Sequence, residues 1–98
     1  MTPGRTGQVW FCYVVECADG TLYAGITTEL ARRLALHNRG VASRYTRGRR
    51  PVRLVHVERY PDRAAASRRE HEIKSLPRLS KRRLLGERAK LGADDPRG

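Results

Sequence analysis

The stretch GTLYAGIT, residues 20–27, decides how the rest of the chain is read. Leu22, Ala24 and Ile26 alternate with Thr21, Tyr23, Gly25 and Thr27, the period of a strand with one buried face. One side is aliphatic, and the other carries a tyrosine two residues before a glycine. Glycine weakens a strand interior and marks places where another backbone or a ligand comes close. The stretch predicts a strand that receives something against Gly25.

Working outward, VWFCYVVEC (residues 9–17) is rich in aromatic and β-branched types, and ADG before Thr21 is a turn signal. Residues 9–26 therefore read as a β-hairpin. Thr27 or Thr28 is placed to cap a helix through ELARRLALHNR, with Glu29 in its first turn and Gly40 as its stop. VASRYTRGRRP reads as a basic loop, and VRLVHVER, residues 52–59, as a third strand. Asp62 precedes a second helix, RAAASRREHEIKSL, that ends near Pro77. Ser80 is a candidate cap for a third, with Leu79 and Leu84 spaced as a hydrophobic staple. The expected fold is α+β: a three-stranded, mainly antiparallel sheet in ββαβαα order, flanked by helices. Residues 1–8 and 91–98 are expected to be flexible ends around one domain at 9–90.

Charge narrows the function classes. In 98 residues, 21 Lys and Arg face 10 Asp and Glu, a formal net charge of +11. Lys74, Lys81 and Lys90 are the only lysines, so the positive charge is nearly all arginine, which binds phosphate bidentately and stacks on bases. Nucleic acid is the leading partner, ahead of an anionic membrane surface. Cys12 and Cys17 lie at an odd spacing that points them to opposite faces of a strand, and no zinc spacing is present. They read as reduced thiols of a soluble, cytoplasmic protein. No apolar run suits a signal core or a membrane span.

Single residues are ambiguous. Leu30 and Leu34 form the inward stripe of the first helix, and Arg33 and His37 a second stripe beside it. Periodicity alone makes that second stripe a solvated basic face. On the second helix Ala66, Ile73 and Leu76 share a face, with Glu70 about 40° from Ala66 at about 100° per residue. A carboxylate at a core margin meets an arginine or a metal, and arginine is the commoner partner in so basic a chain. His56 and His71 read as packing or surface histidines, and Tyr13 and Tyr23 as cross-strand aromatics.

Their joint order changes the reading. FCY ending at Tyr13, YAG at 23–25, Arg33 ten residues on, His37 four later and Glu70 on a distal helix together resemble the GIY-YIG nuclease superfamily. The resemblance covers residues 9–85 and is closest to small stand-alone bacterial members, related to the nuclease domain of the excision-repair protein UvrC. Phe11, Cys12 and Ala24 depart from the two tripeptides, all at packing positions. The resemblance implies a monomeric, metal-dependent endonuclease acting on DNA, in repair or recombination. Glu70 would hold one divalent ion, Mg²⁺ with Mn²⁺ as a substitute. Arg33 would bind the phosphate that gains charge. Tyr13 or Tyr23 would orient or deprotonate the attacking water, and His37 would position the water, act as base or contact a phosphate. A free phenol has a pKa of about 10, so a nearby cation must lower it or its proton must leave in concert with attack.

Arg32, Arg44, Arg47, Arg49, Arg50 and Lys74 are the expected phosphate contacts, with Tyr45 as a stacking platform. The competing class is a non-catalytic nucleic-acid-binding module with the same fold; a weaker one is a basic partner for an acidic protein surface.

Overall fold

The computed structural model describes residues 8–77 and 79–84. Strands β1 (Trp10–Glu16), β2 (Leu22–Thr27) and β3 (Arg53–Tyr60) form an antiparallel sheet in the order β2-β1-β3. Helices α1 (Leu30–Arg39), α2 (Arg44–Arg47) and α3 (Arg63–Ser75) accompany it, and residues 79–84 are helical. The expected α+β sheet and its hairpin are present. Residues 1–7 and 85–98, which hold most of the two expected flexible ends, lie outside the described residues.

Local chemistry sets the element ends. In the hairpin, Asp19 accepts the backbone N–H of Thr21 at 3.1 Å and its hydroxyl at 2.6 Å, while Gly20 takes a left-handed φ of 85°. That φ strains any residue with a Cβ. Gly40, at φ 84°, closes α1 as expected: its N–H meets His37 O and the Val41 N–H meets Leu36 O. Asp62 caps α3 by accepting the Ala65 N–H at 2.8 Å.

Three expectations need correction. Neither Thr27 nor Thr28 caps α1. Glu29 is itself the cap residue without a side-chain cap bond, and the Thr27 hydroxyl accepts the Glu29 N–H at 3.0 Å one step earlier. The basic segment is not all loop, because Ser43 caps the single turn of α2 by accepting the Thr46 N–H at 3.2 Å. Ser80 does not start the last helical stretch, since Pro77 O already accepts the Lys81 N–H at 3.0 Å. Leu79 is exposed, so it forms no staple there.

The sheet is covered on both faces, and alternation along β1 assigns them. Cys12 and Val14 pack with Ala24 and with Ile73 of α3. Tyr13, Val15 and Cys17 point the other way, toward Leu30 and Leu34 of α1. The two cysteines are free, buried and on opposite faces, as their spacing predicts. Ile73, at 1% exposure, anchors α3; truncation to Ala would cost about 2–5 kcal/mol.

A polar network pins α3 to β3. Glu58 accepts from Tyr60 at 2.6 Å and from Arg69 at 2.8 and 3.1 Å, and lies 2.7 Å from His56 Nε2. Burial pushes the Glu58 carboxyl up, but the hydrogen bonds from Arg69, Tyr60 and His56 outweigh it and bring it down to about 2.

Candidate active site

Register explains the glycine in β2. Tyr13 pairs with Gly25, and Tyr23 with Val15, so both tyrosines lie on the α1 face. The Tyr13 ring crosses Gly25 so closely that a Cβ there would stand 2.5 Å from the Tyr13 hydroxyl. What comes close to Gly25 is Tyr13.

From α1, His37 descends onto this pair. Its Nε2 lies 2.9 Å from the Tyr13 hydroxyl, and its ring meets Tyr13 and Tyr23 edge-on at 5.8 and 5.4 Å between centroids. Its Nδ1 lies 2.8 Å from the Thr46 hydroxyl of α2. At 1% exposure His37 is no part of a solvated basic face. Burial, followed by the Arg33 charge, holds its pKa below the ordinary 6.5, so the ring is neutral at neutral pH. Burial, then the Tyr23 hydroxyl, pushes the Tyr13 phenol upward, while Arg33 pulls it down without reversing the shift. Tyr13 therefore keeps its proton at rest.

Arg33 sits one turn before His37 and lines a shallow pocket of about 100 Å³ with Thr27, Thr28, Glu29, Arg32 and Leu36. It makes no ion pair among the described residues. Its charge bears on both Tyr13 and His37.

Glu70 belongs to α3, the layer on the other side of the sheet. Its carboxylate is 19% exposed and meets Lys74 Nζ at 2.9 Å, so the partner at this core margin is a lysine one turn on rather than an arginine. Lys74 also lies over the Tyr23 ring at 5.4 Å. Because β2 is an edge strand, this lysine joins the carboxylate to the tyrosine face.

The expected nucleic-acid contacts divide into two groups. Arg32, Arg44 and Arg47 are exposed, and their side chains have no hydrogen-bond partner among the described residues. Arg49 is engaged within the protein surface: it binds Asp19 at 3.1 Å, donates to Tyr45 O at 2.7 Å and stacks on the Tyr45 ring at 4.1 Å. Arg50 donates to Arg47 O at 2.9 Å and lies against Gly40, where a Cβ would meet its guanidinium at 2.8 Å. Tyr45 tilts against Tyr23 at 5.7 Å, extending the aromatic surface beyond the two strands.

Residues 9–83 match the family described as the GIY-YIG catalytic domain. The chain belongs to the GIY-YIG family. It is 54% identical over 77 residues to a UPF0213 protein of Natronomonas pharaonis, spanning 79% of this chain and 91% of that one. A UPF0213 protein of Desulfotalea psychrophila is 56% identical over 84 residues, 85% of this chain and 76% of that one. The solution structure of a UPF0213 protein from Bacillus halodurans superposes with a TM-score of 0.53 at 41% identity, covering 80% and 83% of the two chains. This chain aligns with most of the length of each of these relatives, 76–91%.

In GIY-YIG terms, the two motif tyrosines and their glycine form one packed unit, with His37 as its third wall. Thr46, which pattern reading leaves in a loop, is fully buried against that histidine. The only sequence signal for it is Ser43 three residues earlier, the spacing of a helix cap. No helix among the described residues is long and apolar enough to cross a membrane.

The family implies a divalent ion, so the donors must suit one. Among the described residues no group of three or more His, Cys, Asp or Glu side chains could cage a metal. Glu70 fits the alternative that Mg²⁺ favours, in which one carboxylate is completed by water and phosphate oxygens. The carboxylate already carries a cation, the Lys74 ammonium.

Proposed function

We propose that this GIY-YIG protein is a metal-dependent endonuclease that hydrolyses phosphodiester bonds in DNA, with repair or recombination as its setting. The observation that carries the reading is the Tyr13 hydroxyl held on His37 Nε2 above a glycine that leaves it room. A structural core has little need for a buried phenol–imidazole pair next to a free arginine.

Tyr13 gives its proton to His37 Nε2 as it takes one from the attacking water, so no free phenolate has to form. This suits a phenol whose pKa is raised by burial and an imidazole that is neutral at neutral pH. Tyr23 braces the His37 ring and meets the substrate beside Tyr45. Arg33 stabilises the charge that grows on the phosphate, a contribution of several kcal/mol in a preorganised site. Glu70 would hold Mg²⁺ or Mn²⁺, which when bound neutralises phosphate oxygens and the leaving group. Arg32, Arg44 and Arg47 hold the flanking backbone. Two buried free thiols suit a reducing compartment, which favours the cytoplasm.

The Glu70–Lys74 pair also supports a second reading, a binding module in which Glu70 is only a helix-surface ion-pair partner. Incubating the purified protein with labelled single-stranded, duplex, flapped and branched DNA and with RNA, with and without Mg²⁺, separates the two. The endonuclease reading expects Mg²⁺-dependent internal cuts in DNA. Binding without cleavage of any substrate supports the module.

A further inference from the structure

We infer that the buried row Tyr13–His37–Thr46 holds His37 in the Nδ1–H tautomer, with Thr46 as a positioning residue that accepts the Nδ1 hydrogen while Nε2 faces the Tyr13 proton. The inference rests on the endonuclease reading for its functional meaning, but its structural content stands apart from it.

Burial makes the donors and acceptors of this row countable. His37 and Thr46 are 1% and 0% exposed, and Tyr13 is 3% exposed. Three polar groups stand in a row: the Tyr13 hydroxyl, the His37 ring and the Thr46 hydroxyl, at 2.9 and 2.8 Å. Beyond Thr46 lies one further acceptor, Ser43 O, at 3.4 Å. A neutral imidazole has one donor and one acceptor nitrogen. With the proton on Nδ1, Tyr13 donates to Nε2, Nδ1 donates to Thr46, and Thr46 donates to Ser43 O. Every hydrogen has an acceptor. With the proton on Nε2, the ring donates to Tyr13 and Thr46 donates to Nδ1. The hydroxyl hydrogen of Tyr13 then has no acceptor among the described residues. Buried polar hydrogens are nearly always paired, so the first arrangement prevails.

The fold is built to present this hydroxyl. Ser43 caps α2 through the Thr46 N–H and receives the Thr46 hydroxyl on its own carbonyl, fixing backbone and side chain together. Arg50 ties α2 to the C-terminal end of α1 through Arg47 O and Gly40. The single turn of α2 thus supplies the acceptor that holds the Nδ1 hydrogen of His37.

Long-range proton–nitrogen correlation spectra of ¹⁵N-labelled protein at neutral pH report the tautomer directly, with His37→Gln identifying the His37 signals among three histidines. The wild type should show the Nδ1–H form, and Thr46→Ser should keep it. Thr46→Val, which preserves shape and removes the acceptor of the Nδ1 hydrogen, should shift the Nδ1 proton and nitrogen resonances of the ring and lower cleavage by about 10²-fold, the low end for a positioned base. An Nε2–H ring in the wild type overturns the inference, whether or not Thr46→Val folds. So do Nδ1 proton and nitrogen resonances that Thr46→Val leaves unchanged, whatever happens to cleavage. An Nδ1–H wild-type ring in a protein that cuts no nucleic acid overturns the endonuclease reading and leaves the Thr46 assignment standing.

Discussion

The Tyr13 ring lies across the backbone of Gly25, its directly paired residue, with no space for a methyl group between them. Gly25→Ala must push the Tyr13 hydroxyl off His37, because the ring is buried and has nowhere else to go. The substitution should cost about 1–3 kcal/mol, as overpacking does. It should also lower cleavage far more than that stability loss explains. Thermal melts and turnover measured on the same preparation check this, and full activity in Gly25→Ala would detach the glycine from the site.

Nucleic-acid affinity should fall steeply with salt as arginines displace counterions. Arg44→Ala with Arg47→Ala should flatten the log–log salt slope by roughly two without lowering the melting temperature. Arg49→Ala should do the reverse, since it releases Asp19 and Tyr45 and loosens the hairpin from α2. An unchanged slope in the double variant would remove α2 from the interface.

Two groups set the pH behaviour. His37 is held below 6.5 by burial and by Arg33, so the acid limb of the cleavage profile should lie below 6.5. Arg33→Gln removes a repelling charge and should raise the His37 value, seen by NMR titration. The Glu58 carboxyl is brought from 4.5 to about 2 in the fold. Its stabilisation is complete above 4.5 and is lost as pH falls from 4.5 through 2. Glu58→Gln should flatten the acid loss of stability in that window and cost about 2 kcal/mol at neutral pH, as losing charge-assisted hydrogen bonds at a partly buried site does.

Lys74 competes for the carboxylate that would hold the metal. Lys74→Met should therefore tighten Mn²⁺ binding several-fold in an electron paramagnetic resonance titration. Equal affinity in both proteins would separate the lysine from the metal position.

Most of the sheet was legible because alternation along residues 10–16, 22–27 and 53–60 is a local property. The cap at Asp62 and the stop at Gly40 were legible for the same reason. His37 was not, because its burial depends on α2, a turn too short to leave a periodic trace. The Lys74 partner of Glu70 was visible as an i,i+4 pair, but the abundance of arginine drew the expectation elsewhere. His56, Glu58 and Tyr60 alternate along β3 and so share a face, a polar stripe whose meaning appears only once Arg69 arrives from α3. The commitment of Arg49 to Asp19, thirty residues away, has no sequence signature at all.

The role of Glu70 decides between enzyme and binding module. As an i,i+4 ion pair with Lys74 it contributes only about 0.3–0.5 kcal/mol. Glu70→Ala should therefore fold normally and bind DNA as well as the wild type or slightly better, since a negative charge leaves a phosphate site. The deciding measurement is Mg²⁺-dependent cleavage by folded Glu70→Ala, with melting temperature and DNA binding taken on the same samples. The account predicts a folded, binding-competent protein that no longer cuts. Cleavage persisting at the wild-type rate in that folded variant would contradict it.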